Sequence, residues 1–117
     1  MRILIVEDEP VIALEIEAIV QERLPHAETT LAASVREAMD VLDHGVGFAF
    51  LDIDVTDGKS YPLALELRSR SIPFVFVSGA MRHDAPHGLA EERMVRKPFT
   101  PGDIVRQLAV LDTRDAE

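Results

Sequence analysis

Short apolar runs alternate with amphipathic stretches along the whole 117-residue sequence, and this alternation restricts the fold more than any other feature. The runs are nearly continuous in apolar residues, as expected of strands buried on both faces, while the stretches between them repeat apolar residues at helical spacing. Alternating strands and helices predict a parallel sheet covered by helices on both faces. The predicted strands are residues 2–8, 27–33, 47–52, 73–79 and 93–98, and the predicted helices are residues 10–24, 34–45, 60–70 and 100–111.

One helix of this pattern is defective. Residues 81–92 lie between the fourth and fifth predicted strands, where a helix is due. Pro86 lacks a backbone N–H and disfavours helical geometry in the residue before it, and Gly88 costs about 1 kcal/mol relative to alanine in a helix. We therefore expect a fourth helix that is short, distorted or missing, in a segment that opens readily.

Composition and charge argue against several functions. The net charge of −9 disfavours a surface that follows the phosphates of a nucleic acid. The absence of cysteine excludes disulfides, thiolate metal ligands and a cysteine nucleophile. No apolar run is long enough to span a bilayer, and the N-terminus lacks the layout of a signal peptide. We expect a single cytoplasmic domain that binds neither nucleic acid nor membrane.

Polar side chains follow the apolar residues at the ends of four of the five predicted strands; they are Glu7, Asp8, Asp52, Ser78 and Lys97. In doubly wound folds ligands bind at the carboxyl ends of the strands, so we expect these side chains to meet. Clustered carboxylates repel one another, and a hard cation such as Mg²⁺ relieves this repulsion. Asp52 can then stay ionised as a nucleophile toward phosphorus, while Ser78 and Lys97 bind phosphoryl oxygens.

Residues 51–56, LDIDVT, fit two families that transfer phosphoryl groups. They match the Asp-x-Asp-x-Thr motif of the haloacid dehalogenase-like phosphatases, which is one alternative. Three features oppose it. That family carries its nucleophile on an early strand, whereas Asp52 lies on the third; it needs acidic metal ligands on a strand after the lysine, where a helix is predicted here; and it leaves Glu7 and Asp8 without a role.

The same residues resemble more closely the receiver domain of two-component response regulators, over essentially all of residues 1–117. An acidic pair after the first strand, an aspartate ending the third, a serine or threonine ending the fourth and Lys-Pro ending the fifth make up the signature of that family. The resemblance implies one receiver domain with a flavodoxin-like, five-stranded parallel sheet of order 2-1-3-4-5. It also implies a signalling domain rather than an enzyme, although one that can dephosphorylate itself.

The resemblance assigns roles to the acidic residues. Asp52 is the implied acceptor of a phosphoryl group from a histidine kinase or a phosphotransfer protein. Glu7, Asp8 and Asp52 are the implied Mg²⁺ ligands, together with the backbone carbonyl of Asp54. Phosphorylation then changes the affinity for a protein output partner, through the region from residue 80 to the last helix. A receiver-like interaction module that is never phosphorylated is the second alternative.

The resemblance also assigns the switch residues. Ser78 is the implied switch hydroxyl and Lys97 the implied phosphate-binding lysine, and the Lys97–Pro98 peptide bond is a candidate cis bond. The match is closer to the FAT GUY receivers, which carry a Pro-Phe-x-Phe-Ala-Thr-Gly motif. Residues that match this motif are Pro73, Phe74, Phe76 and Gly79. Met94 stands where many receivers have an aromatic switch residue.

Two further charged residues follow the acceptor aspartate. Asp57 and Lys59 flank Gly58, a residue suited to a turn. We expect these two side chains to be solvated in a loop, without a part in the chemistry.

Overall fold

The computed structural model describes residues 1–79, 85–86 and 88–111 of the chain. The main sheet contains five strands: β1 (Arg2–Val6), β2 (Glu28–Ala32), β3 (Phe48–Leu51), β6 (Phe74–Ser78) and β7 (Met94–Arg96). Strands β4 (Asp54–Val55) and β5 (Gly58–Lys59) form a short hairpin after β3. The helices are α1 (Pro10–Arg23), α2 (Val35–Leu42), α3 (Tyr61–Ser69) and α4 (Pro101–Gln107). Within these described ranges, no helix has both the length and the apolar character needed to cross a membrane.

Every pair of neighbouring strands in the main sheet is parallel, and the order across the sheet is β2-β1-β3-β6-β7. When the hairpin is left aside, this is the predicted order 2-1-3-4-5, so the predicted doubly wound, flavodoxin-like fold is confirmed. The chain moves outward from β1 to β2 and then returns to β3 on the other side of β1. The strand order therefore reverses between β1 and β3, which is where ligands bind in folds of this kind.

The central strands are apolar throughout because helices cover both faces of the sheet. In β1, Ile3 and Ile5 face a core shared with α1 and α4, whereas Leu4 and Val6 face a core shared with α2 and α3. All four side chains are at most 1% exposed. Burying a side chain of this size contributes about 1.5–3 kcal/mol. The two cores therefore hold the carboxyl ends of the central strands in a fixed register.

Helix α4 begins at a capping box. The Thr100 hydroxyl accepts a hydrogen bond from the Asp103 N–H at 3.2 Å, and the Asp103 carboxylate accepts one from the Thr100 N–H at 2.9 Å. These two bonds satisfy backbone donors that have no partner inside the helix. The helix start is therefore encoded locally, directly after the residues that end the last strand.

The helix expected between β6 and β7 is replaced, in the described part of that segment, by one 3₁₀ turn at Leu89–Glu91. Gly88 precedes the turn with a left-handed φ of 78°, a conformation that glycine adopts without strain. The prediction of a short, distorted or missing fourth helix is confirmed for this part. The prediction also covers residues 81–84 and 87, which lie outside the described residues.

Leu89 should anchor this turn to the sheet. It is fully buried and belongs to the core formed with α2 and α3. We expect Leu89→Ala to lower the free energy of unfolding by about 2–5 kcal/mol in urea denaturation, because the substitution leaves a cavity. Leu14→Ala is the matched control, since Leu14 is 55% exposed. Equal losses in the two variants would contradict the anchoring role of Leu89.

Candidate functional site

The carboxyl edge of the main sheet brings together residues that follow different strands. The backbone ladder continues past the strand ends, because the Asp52 N–H donates to the Val6 carbonyl at 2.8 Å and the Lys97 N–H donates to the Ser78 carbonyl at 3.2 Å. The register of these backbone hydrogen bonds thus sets how far along the strand direction each of these residues lies. The polar residues predicted at the strand ends arrive at one place for this reason.

Three carboxylates form a cluster at this edge. Glu7, Asp8 and Asp52 each offer one oxygen, and the three oxygens lie within 4.8 Å of one another. Glu7 and Asp52 are buried, at 4% and 7% exposed. The donors are anionic oxygens, the ligands that a hard cation such as Mg²⁺ prefers. Their chemistry and spacing therefore fit a divalent cation, with Glu7, Asp8 and Asp52 as its ligands.

Lys97 bridges two of the three carboxylates. Its ammonium group donates to Glu7 Oε1 at 2.5 Å and to Asp52 Oδ2 at 3.1 Å. The lysine side chain is only 18% exposed, so both ion pairs are largely shielded from water. Burial alone lowers the pKa of Lys97, but the hydrogen bonds to Glu7 and Asp52 outweigh burial, and the pKa lies above its usual value. Lys97 therefore stays charged beside Asp52.

Burial in this cluster shifts the pKa of Glu7. Burial raises the pKa of Glu7 to about 7; the hydrogen bond from Lys97 opposes this rise, and the neighbouring Asp52 adds to it. A proton on Glu7 relieves the repulsion between the two buried acids, and a cation would relieve it in the same way. Without a cation, Glu7 is therefore expected to bind a proton more readily near neutral pH than an ordinary glutamate does.

The remaining predicted site residues surround this cluster. Ser78 is buried at the end of β6, the strand that pairs with β3. The Lys97–Pro98 peptide bond is cis. The Asp54 carboxylate forms an ion pair with Lys59 at 2.7 Å, across the β4–β5 hairpin. The structure thus joins Glu7, Asp8, Asp52 and Lys97 directly, whereas the side chain of Asp54 is paired elsewhere.

Two residues near the acceptor position were not found from the sequence. Ser60 is buried, and its hydroxyl donates to the backbone carbonyl of Asp52 at 2.6 Å. Asp57 is exposed in the loop, as expected, and in addition its carboxylate accepts hydrogen bonds from the N–H groups of Val35 and Arg36, which the sequence did not predict. Asp57 follows Val35 by 22 positions and Arg36 by 21 positions, and no local sequence pattern predicts a contact over this separation.

Comparison with known proteins identifies relatives among bacterial regulators. No family model matches the sequence. The chain is 31% identical over 108 residues to the phyllosphere-induced regulator PhyR of Methylorubrum extorquens. The matched region covers 88% of this chain and 40% of PhyR. The chain spans 40% of the length of the first curated relatives that it matches.

Solved structures share the fold over nearly the whole chain. SdrG of Sphingomonas melonis is 34% identical with a TM-score of 0.78, and the match covers 95% of each chain. A CheY-like response regulator receiver domain protein from Methanospirillum hungatei has a TM-score of 0.84 at 22% identity, over 98% of this chain and 96% of that chain. This chain therefore belongs to the response regulator receiver (CheY-like) domains. Such domains generally act in two-component signalling rather than as enzymes, and they interact with kinases and output domains.

The raised pKa of Glu7 predicts a pH dependence of stability for the metal-free protein. An acid whose pKa is higher in the folded protein than in the unfolded chain binds protons more tightly when folded, so stability falls as the pH rises. For Glu7 the fall spans pH 4.5 to about 7. We expect a loss on the order of a few kcal/mol across this window.

The measurement is urea denaturation at several pH values in the presence of a chelator. Glu7→Gln should lose most of this pH dependence, because glutamine does not titrate. Asp57 and Asp103 have pKa values below their usual range, so these two acids titrate below this window in both proteins. The same pH dependence in the wild type and in Glu7→Gln would contradict the assignment.

Proposed function

We propose that this receiver accepts a phosphoryl group on Asp52 from a histidine kinase or a phosphotransfer protein and signals by protein contact. The observation that carries the proposal is the meeting of Glu7, Asp8, Asp52 and Lys97 at one edge of the sheet. An aspartate flanked by two acids and a lysine has both the nucleophile and the charges that phosphoryl transfer needs.

Asp52, Lys97 and Ser78 have different roles in the proposed phosphoryl transfer. A carboxylate oxygen of Asp52 attacks phosphorus; a P–O bond forms, the P–N bond of the donor histidine breaks, and its electron pair remains on the imidazole. Lys97 contacts Asp52, and this contact supports its proposed role of binding an oxygen of the transferred group. Ser78, at the end of the neighbouring strand, is proposed as the switch hydroxyl that binds another phosphoryl oxygen.

The metal ligands in this proposal are Glu7, Asp8, Asp52 and the backbone carbonyl of Asp54. When bound, Mg²⁺ would neutralise charge on the carboxylates and on the transferred phosphoryl group. Asp54 can serve through its backbone carbonyl whatever its side chain does, and its carboxylate is paired with Lys59. The three carboxylates supply the anionic oxygens that a hard cation prefers.

A protein phosphodonor is supported by the surface of α1. This helix begins at Pro10, directly after the acidic pair, and carries Val11 and Leu14 at 77% and 55% exposed. Apolar side chains this exposed, beside the acceptor, suit contact with another protein. We further propose that residues 1–117 form one receiver domain of the FAT GUY group, acting in the cytoplasm where such donors act.

The phosphatase alternative lacks a required element. After Lys97 the described residues lead into α4 rather than into a further strand with acidic metal ligands. Phosphorylation by a small phosphodonor distinguishes the proposed function from the alternative of an interaction module that is never phosphorylated.

Acetyl phosphate with Mg²⁺ should add one phosphoryl group to the wild-type protein, measured by intact mass. The adduct should be absent in Asp52→Ala and in the presence of a chelator, because both remove part of the reacting site. Asp43→Asn is a control, since it removes an exposed acid that pairs with Arg70 away from the site. An adduct that persists in Asp52→Ala would move the nucleophile to another residue. No adduct on a wild-type protein that binds Mg²⁺ would favour the interaction module.

Asp8→Ala should weaken Mg²⁺ binding by about tenfold or more, a loss typical of a removed metal-site partner. The same substitution relieves repulsion in the cluster, so the metal-free variant should be no less stable than the wild type. Mg²⁺ titration and urea denaturation measure the two effects, with Asp43→Asn again as the control for lost charge. An unchanged Mg²⁺ titration in Asp8→Ala would exclude Asp8 from the metal site.

A further inference from the structure

The loop that follows the acceptor aspartate is closed on itself. Its ends are joined because the Ser60 hydroxyl donates to the Asp52 carbonyl at 2.6 Å and the Ser60 N–H donates to the Ile53 carbonyl at 2.8 Å. Its middle is joined by the β4–β5 hairpin and by the ion pair of Asp54 with Lys59. The loop, residues 53–60, therefore leaves the sheet and returns to it over a short distance, carrying Asp54 beside the acceptor.

The tip of the loop is fastened to a different element. Asp57 accepts hydrogen bonds from the N–H groups of Val35 at 2.8 Å and Arg36 at 3.1 Å, in the first turn of α2. The Thr56 N–H also donates to the Ala33 carbonyl, at 3.3 Å. The first N–H groups of a helix have no partner within it, and a carboxylate there is favoured by the helix dipole. These bonds hold the pKa of Asp57 below its usual value.

Helix α2 does not depend on Asp57 alone for its start. Ser34, the residue before the helix, accepts a hydrogen bond from the Glu37 N–H at 3.1 Å, as an N-cap residue does. Asp57 binds the two amides that Ser34 leaves free. The helix therefore has its own local cap, and the second cap comes from the loop beside the acceptor. The bonds of Asp57 fix the loop as much as they fix the helix.

We propose that Asp57 is a positioning residue that holds the 53–60 loop ready for the metal and thereby couples metal binding to the first turn of α2. The inference rests on the proposed function, in which the Asp54 carbonyl is a metal ligand. A loop that is ordered beforehand loses less conformational entropy when the cation binds, so the affinity is higher. Coupling of this kind is reciprocal, so the metal must in turn stabilise the hydrogen bonds of Asp57.

The test compares Mg²⁺ titrations of four proteins: the wild type, Asp57→Ala, Asp57→Asn and Ser34→Ala. Asp57→Ala should bind Mg²⁺ about tenfold more weakly, the size typical for residues that orient metal ligands. Ser34→Ala removes a cap from the same helix without touching the loop, so it should lose stability in urea but keep its Mg²⁺ affinity. Asp57→Asn keeps one acceptor oxygen and should fall between Asp57→Ala and the wild type, which separates hydrogen bonding from charge.

Amide hydrogen exchange gives a second readout. Mg²⁺ should slow exchange of the Val35 and Arg36 amides in the wild type and in Ser34→Ala, and it should have little effect on them in Asp57→Ala. Wild-type Mg²⁺ affinity in folded Asp57→Ala would overturn the inference and leave the proposed function intact. A wild-type protein that binds no Mg²⁺ would overturn both. If Asp57→Ala does not fold, Asp57→Asn against Ser34→Ala decides, because equal Mg²⁺ affinity in these two variants overturns the inference.

Discussion

The buried negative charge at the carboxyl edge of the sheet is the constraint on which the rest of the site depends. Glu7 and Asp52 are both buried, and their charges would be costly there without a partner. Lys97 supplies that partner, with one ammonium group bonded to both carboxylates. Since Lys97 follows β7 and the two acids follow β1 and β3, this interaction connects three strands across the sheet.

The burial of β1 in two cores fixes the positions of the acids that follow the strands. The side chains of β1 alternate between the two cores, so a shift of one residue would exchange every buried contact of the strand. The register therefore holds Glu7 and Asp52 side by side, where burial first and the neighbouring Asp52 second raise the pKa of Glu7 to about 7. A cation bound at this cluster would relieve the repulsion between the two buried acids.

The sequence was sufficient for features that are encoded locally. Each strand end is marked by a polar residue after an apolar run, so the meeting of Glu7, Asp52 and Lys97 followed once a parallel sheet was inferred. The broken helix between β6 and β7 was likewise marked by Pro86 and Gly88. The hairpin after β3 and the contact of its Asp57 with α2 were missed, because a hydrogen bond to the backbone of a distant segment leaves no periodic signal.

The charges around the acceptor also explain why Asp54 is tolerated beside it. Asp54 follows Asp52 by two residues, and Lys59 pairs with its exposed carboxylate across the hairpin, apart from the cluster of Glu7, Asp8 and Asp52. When ionised, four carboxylates balanced by two lysines leave two negative charges, the charge that one divalent cation neutralises. The positive charge of Lys59 thus offsets the negative charge of Asp54 within the same loop. In the proposed function, Asp54 contributes through its backbone carbonyl and Asp52 is the carboxylate that reacts.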